Sequence, residues 1–213
     1  MSAARTMDPA DPADPTDDVG RIVRLIATSE PRCGSTRLVA LDGPSGAGKT
    51  TLAADVAEAL GAPVIHMDDL YPGWDGLAAS TERVESWVVA PLLSGGPARY
   101  RRWDWEAGEY AEWHEAAGDV IVLEGCGSGA LPGGTFLSVL VWVDADPTER
   151  RTRAVARDPG YAPFWDRWAA QEQALYAADG TRARADLLLD TTTVADPSHT
   201  RRMSSPAADL RNG

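Results

Sequence analysis

The sequence predicts an α/β fold in which a parallel five-stranded sheet lies between two layers of helices, a three-layer sandwich. Three observations predict it. Apolar runs such as Val120 to Leu123 and Val139 to Val143 are unbroken, as in strands buried on both faces. Segments with helical apolar spacing alternate with them, and strands alternating with helices give parallel sheets with right-handed crossovers. A glycine-rich turn, Gly43 to Gly48, joins one such run to one such helix.

The elements follow in chain order. Asp8 to Pro15 is an Asp-Pro repeat that can bury nothing, so residues 1–18 are expected to be a disordered acidic leader. Residues 19–194 form the single folded domain, and 195–213 a disordered tail. Val19 to Ala27 has the spacing of an accessory helix. Arg37 to Leu41 is a strand, Lys49 to Leu60 an amphipathic helix and Pro63 to Met67 a second strand. A helix is expected over about Ser80 to Leu93, closed by the turn Leu93-Ser94-Gly95-Gly96. Asp119 to Leu123 and Leu137 to Val143 are the next strands. Asp146-Pro147-Thr148-Glu149 supplies an N-cap Asp, a Pro in the first turn and an early Glu, and starts a helix to about Arg157. A helix over Ala162 to Ala178 and a strand over Ala185 to Leu189 complete the set.

Composition excludes several functions. The 213 residues are 44% apolar and 24% charged, and no apolar run approaches the roughly 20 residues of a bilayer helix. The Asp-rich N-terminus is no secretory signal, so a cytoplasmic location and no membrane partner are expected. A net charge of -12 opposes nucleic acid as a partner, because phosphate binding needs a basic stripe. Cys33, Cys126, His66, His114 and His199 fit no metal-ligand spacing. Self-association is left open. Of the 20 basic residues every one but Lys49 is Arg.

Lys49 falls in Gly43-Pro44-Ser45-Gly46-Ala47-Gly48-Lys49-Thr50, the G-x-x-x-x-G-K-[ST] pattern of a phosphate-binding loop, after a strand and before a helix. Glycines let successive main-chain N–H groups converge on a phosphate, and the helix N-terminus adds its positive dipole end. Gly43, Ser45, Gly46, Ala47, Gly48, Lys49, Thr50 and Thr51 are therefore the candidate nucleotide-binding residues. Lys49 would lie between β- and γ-phosphates, and the Thr50 hydroxyl would ligate Mg²⁺. Guanine-specific GTPases need an N-K-x-D segment, which a chain with no second Lys and only Asn212 cannot supply.

Four further features suggest phosphoryl transfer. Asp68, at the end of a strand expected beside the loop strand, would face the γ-phosphate, accept a proton from an attacking hydroxyl and help hold Mg²⁺. Glu124 ends the apolar strand Val120 to Leu123 in the Walker B position, again within reach of Mg²⁺. Arg150, Arg153 and Arg157 share one helix face and suit a lid that neutralises developing charge. Trp74, Trp103 and Trp105 would border an acceptor pocket and could stack a flat ring.

In these residues the chain resembles the uridine kinase family of P-loop kinases. The likeness covers roughly 37 to 190: the loop Gly43 to Thr50, Asp68 to Tyr71, Glu124-Gly125, the Arg-rich stretch Arg150 to Asp158, and Ala185-Asp186 before the last strand. It implies a nucleoside- or nucleotide-kinase-like P-loop fold with an Arg-rich lid. It further implies ATP and Mg²⁺ as cofactors and a small hydroxyl-bearing acceptor, such as a nucleoside. Asp68 would be the general base, Lys49, Arg153 and Arg157 would stabilise the transferring group, and Thr50, Asp68 and Glu124 would hold the metal. Asp69-Leu70 replaces the family's Ser-Phe. Two other readings stay open: a kinase for a phosphorylated acceptor such as a nucleoside monophosphate, which could use Arg83, Arg99, Arg101 and Arg102, and a nucleotide-binding regulatory module.

Overall fold

The computed structural model describes residues 17–193. The expected leader and tail lie outside that range except for Asp17 and Asp18, which open the first helix. Helix α1 (Asp18–Thr28) is capped by the Asp17 carboxylate, which accepts the Gly20 N–H at 2.8 Å. Its Ile22 and Ile26, one turn apart, are fully buried.

Five parallel strands build the main sheet: β1 (Arg37–Asp42), β2 (Val64–His66), β5 (Val120–Glu124), β6 (Val139–Asp144) and β7 (Leu187–Asp190), in the order β2-β5-β1-β6-β7. Their side chains alternate between two cores. Val39, Leu41, Val122, Val141 and Val143 pack with α1 and α2 (Lys49–Leu60). Leu38, Ala40, Ile121, Leu123 and Leu140 pack on the opposite face with Leu77, Val88, Leu92 and Trp168. Each fully buried aliphatic side chain contributes about 1.5–3 kcal/mol, so the three-layer sandwich forms by covering both faces of the strands. Among the described residues, no helix is long and apolar enough to cross a membrane.

One expectation is corrected by the strand order. β2 does not neighbour the loop strand β1, because β5 stands between them, with His66 and Leu41 both opposite Glu124. β5 is apolar on both faces and takes an interior place, whereas the three-residue β2 makes a short edge. Asp68 accordingly belongs to a single 3-10 turn, Met67–Asp69, beyond the strand.

Two further departures concern the segment that follows. The expected helix is longer and runs as α3 (Leu77–Arg83), a π-helical stretch (Val84–Val89) and α4 (Ala90–Leu93). Pro91 has no N–H to donate and its ring would crowd the carbonyl one turn back. The helix widens ahead of it, with Ala90 N–H bonding to Glu85. After the Ser94 cap comes an antiparallel hairpin absent from the sequence reading, β3 (Ala98–Asp104) and β4 (Glu109–Ala116). Its turn is shaped by the Asp104 carboxylate, which accepts the N–H groups of Glu106 and Ala107, and by Gly108 at φ 71°.

Helix α5 (Pro147–Arg157) begins as expected at Asp146, whose carboxylate accepts the Thr148 and Glu149 N–H groups. A 3-10 segment, Pro159–Phe164, leads into α6 (Trp165–Asp179), and a one-turn α7 (Thr181–Arg184) precedes β7.

Candidate active site

The loop from Gly43 to Gly48 leaves the carboxyl end of β1, the central strand, and enters α2. Gly46 adopts φ 79°, and a Cβ there would lie 2.1 Å from the Arg150 carbonyl oxygen, so only glycine fits against α5. Asp42 anchors the loop from below. Its fully buried carboxylate accepts N–H groups of Gly43 (2.6 Å), Gly127 (2.8 Å) and Gly129 (2.8 Å) and the Tyr176 hydroxyl (2.8 Å). Burial raises the Asp42 pKa in spite of these donors.

Lys49 is buried and donates to its own loop, to Gly43 O at 2.7 Å and Pro44 O at 2.9 Å, with Cys126 Sγ 3.6 Å away. Burial opposes its charge, but interactions with the Cys126 sulfur and the carboxylates of Glu172, Glu124 and Asp42 outweigh burial and hold the Lys49 pKa above its ordinary value. Glu124, 4% exposed, accepts the Thr50 hydroxyl at 3.3 Å and faces His66 Nδ1 at 2.6 Å. That hydrogen bond is the main reason the His66 pKa is raised.

Two clefts meet over this loop. One, of about 210 Å³, is lined by Ser45, Gly46 and Gly48 through Thr51, with Glu124, Arg153 and Arg157. The other, of about 380 Å³, is walled by Tyr71, Trp74, Trp105, Tyr161 and Trp168. Ser45, Asp68, Cys126 and Arg157 line both. Asp68 is therefore reached by solvent from the clefts although protein encloses it. That enclosure, reinforced by the charge of Glu124, raises its pKa against the pull of Arg157, Lys49 and His66.

The aromatic cleft is built from three separate segments. Trp74 stacks on Phe164 at 4.3 Å with the planes 4° apart, and Trp105 donates its indole N–H to the Asp68 carbonyl at 3.1 Å. Tyr71 donates to the Cys126 carbonyl at 2.8 Å, and Tyr161 to the Ser45 hydroxyl at 3.0 Å. Arg157 is the single basic side chain in its lining. The four arginines that could serve a second anion are employed elsewhere. Arg83 lies over the Trp87 ring and Arg99 over the Trp113 ring, Arg101 bonds hairpin carbonyls, and Arg102 pairs with Glu112.

Of the expected nucleotide-, metal- and transfer-site residues, all but the buried Gly43 and Ala47 line the loop cleft, with differences in posture. Arg153 is tied to Glu149 (2.5 Å) and to Thr191 O (2.8 Å), so its guanidinium is held at the end of β7. Arg150 braces the loop, donating to Ser45 O at 3.4 Å and Ala145 O at 3.2 Å. Trp103 meets Tyr110 within the hairpin and does not line the aromatic cleft. Sequence reasoning missed Glu172, Cys126, Tyr161 and Trp168, which reach the loop or cleft from distant segments. The hairpin had a local signal: a Gly-containing turn between two runs rich in Tyr and Trp.

Strand order, loop and helix placement together define a P-loop kinase-like fold. The chain superposes with a TM-score of 0.60 on a possible uridine kinase from Bacillus stearothermophilus, at 19% identity over 82% of this chain and 98% of that one. Shikimate kinase from Acinetobacter baumannii in complex with shikimate also matches, at TM-score 0.43 and 19% identity over 75% and 86% of the two chains. No protein-family model matches the sequence, and no curated protein matches it.

Proposed function

We propose that this protein is an ATP- and Mg²⁺-dependent kinase that moves the γ-phosphoryl of ATP to a hydroxyl of a small acceptor lacking its own phosphate. The observation that carries the reading is the shared wall: Asp68 and Arg157 line both the loop cleft and the aromatic cleft. A donor in one and an acceptor in the other would meet at these two side chains.

The residues present fit the expected ligands. Thr50, Glu124 and Asp68 offer only hard oxygen donors, a few of which Mg²⁺ takes from protein while phosphates and water complete its shell. When bound, the ion supplies charge neutralisation on the phosphates. The loop amides and Lys49 would bind the β- and γ-phosphates, with Lys49 exchanging its bonds to Gly43 and Pro44 for phosphate oxygens. Asp68 would accept the proton of the acceptor hydroxyl as its oxygen bonds to phosphorus and the bond to ADP breaks. Its raised pKa makes it a stronger base for that task. Arg157 would face charge developing on the transferring group. A lid movement of α5 and the segment after it would carry Glu149 along with Arg153 and would bring Arg153 in only by breaking its bonds to Thr191.

For the acceptor, the stacked Trp74 and its aromatic neighbours favour a flat ring, as in a nucleoside. The single Arg157 argues against a nucleoside monophosphate. A coupled ADP-release assay across nucleosides, nucleoside monophosphates and non-aromatic alcohols tests the reading. Acceptor-dependent release with an uncharged ring compound is expected, and release indifferent to any acceptor would overturn it.

A further inference from the structure

We propose that Glu172 sets the affinity of the phosphate loop, bracing it from behind while its charge beside Lys49 weakens the hold on bound phosphate and speeds nucleotide release. The proposal rests on the kinase reading above and concerns the same site. Glu172 projects from α6 and is 4% exposed. It accepts the Ser45 main-chain N–H at 2.9 Å and the Cys126 thiol at 3.1 Å, both on Oε1. Cys126 Sγ in turn lies 3.5 Å from Ser45 Oγ and 3.6 Å from Lys49 Nζ. A residue 127 positions away along the chain thus reaches the third position of the phosphate loop.

The other carboxylates around Lys49 have evident employment. Asp42 takes four donors as a structural brace, and Glu124 is held by Thr50 and His66. Glu172 differs, because among the described residues no Lys, Arg or His forms an ion pair with it. A buried carboxylate without a cation of its own is costly, and a neutral glutamine would still accept the Ser45 N–H, in a weaker bond. What glutamine lacks is the charge. In the empty loop that charge helps hold the Lys49 ammonium. Once phosphates arrive, the same charge repels them. At an effective dielectric constant of about 20, one like charge removed from this neighbourhood changes anion affinity by about tenfold.

The test is calorimetric titration of ADP, inorganic pyrophosphate and adenosine into wild type and Glu172→Gln, together with steady-state kinetics. In E172Q the Kd for ADP and for pyrophosphate should fall about tenfold and that for adenosine stay unchanged. The KM for ATP should fall, and kcat with it, as release becomes limiting. Affinity equal to or weaker than wild type would make Glu172 a brace alone and overturn the inference while leaving the kinase reading intact. Failure of wild type to bind ADP or pyrophosphate would remove both. Should E172Q not fold, Glu172→Met fills similar space without charge, and tighter pyrophosphate binding is again the required result; unchanged or weaker binding overturns the inference.

Discussion

His66 Nδ1 stands 2.6 Å from Glu124 Oε1, so the carboxylate that ends β5 is steered by an imidazole from the edge strand β2. The hydrogen bond raises the His66 pKa. Stability from this pair is therefore complete below the ordinary histidine value of about 6.5 and is lost as pH rises through the higher folded-state value. The ring is half-exposed, and screening keeps the effect below about 1 kcal/mol. Urea unfolding without Mg²⁺ between pH 5.5 and 8.5 should show wild type losing stability relative to His66→Gln as pH rises. Parallel curves would refute the coupling.

Lys49→Ala should lower kcat by more than about a hundredfold, because it removes a preorganised cation from the phosphate site. The fold should survive, since the two carbonyls that Lys49 now satisfies each keep another donor, the Tyr176 hydroxyl on Gly43 O at 2.9 Å and the Ala47 N–H on Pro44 O at 3.3 Å. Circular dichroism and turnover measured on the same preparation check both halves. Turnover at the wild-type rate would refute the assignment of the loop.

Asp68→Asn keeps the size of the side chain and removes its proton affinity. A loss of about a hundredfold to ten-thousandfold in kcat is expected, with the Kd for ATP within a few-fold of wild type. Equal losses in both would make Asp68 a structural cap of the Met67–Asp69 turn.

The phosphate loop and the helices around it are legible in the sequence because their determinants are local. Gly46 and Gly48 fix a turn within a few residues of Lys49, and Asp146 caps the very helix that it precedes. Pairings between distant segments are not local. Nothing near Pro63 says that β5 would insert beside β1, and nothing near Glu172 points to Ser45, 127 positions away. Residues were found where one short segment carries the chemistry. They were missed where α6 or the 3-10 turn at Tyr161 delivers a side chain across the sheet edge.

Trp105 ties the hairpin to the Met67–Asp69 turn through its bond to the Asp68 carbonyl, yet it is 40% exposed and dispensable to the core. Trp105→Ala should raise the acceptor KM about tenfold and leave the KM for ATP within twofold. Equal changes in both constants would show that the hairpin supports the loop cleft and does not border the acceptor.

The two cysteines should be unreactive in the folded protein. Cys33 is fully buried with its thiol 3.7 Å from the Val89 carbonyl, and burial raises its pKa from 9.0 to about 11. Cys126 is pushed up further by burial. Because the thiolate is the reacting species, a disulfide reagent at pH 8 should label the native chain slowly and both thiols rapidly in denaturant. The linkage has a definite sign. Unfolded Cys33 ionises above about pH 9 while the folded thiol stays neutral, so stability should decline as pH climbs from 9.0 towards about 11. One thiol that labels quickly in the native state would place its segment in an open conformation.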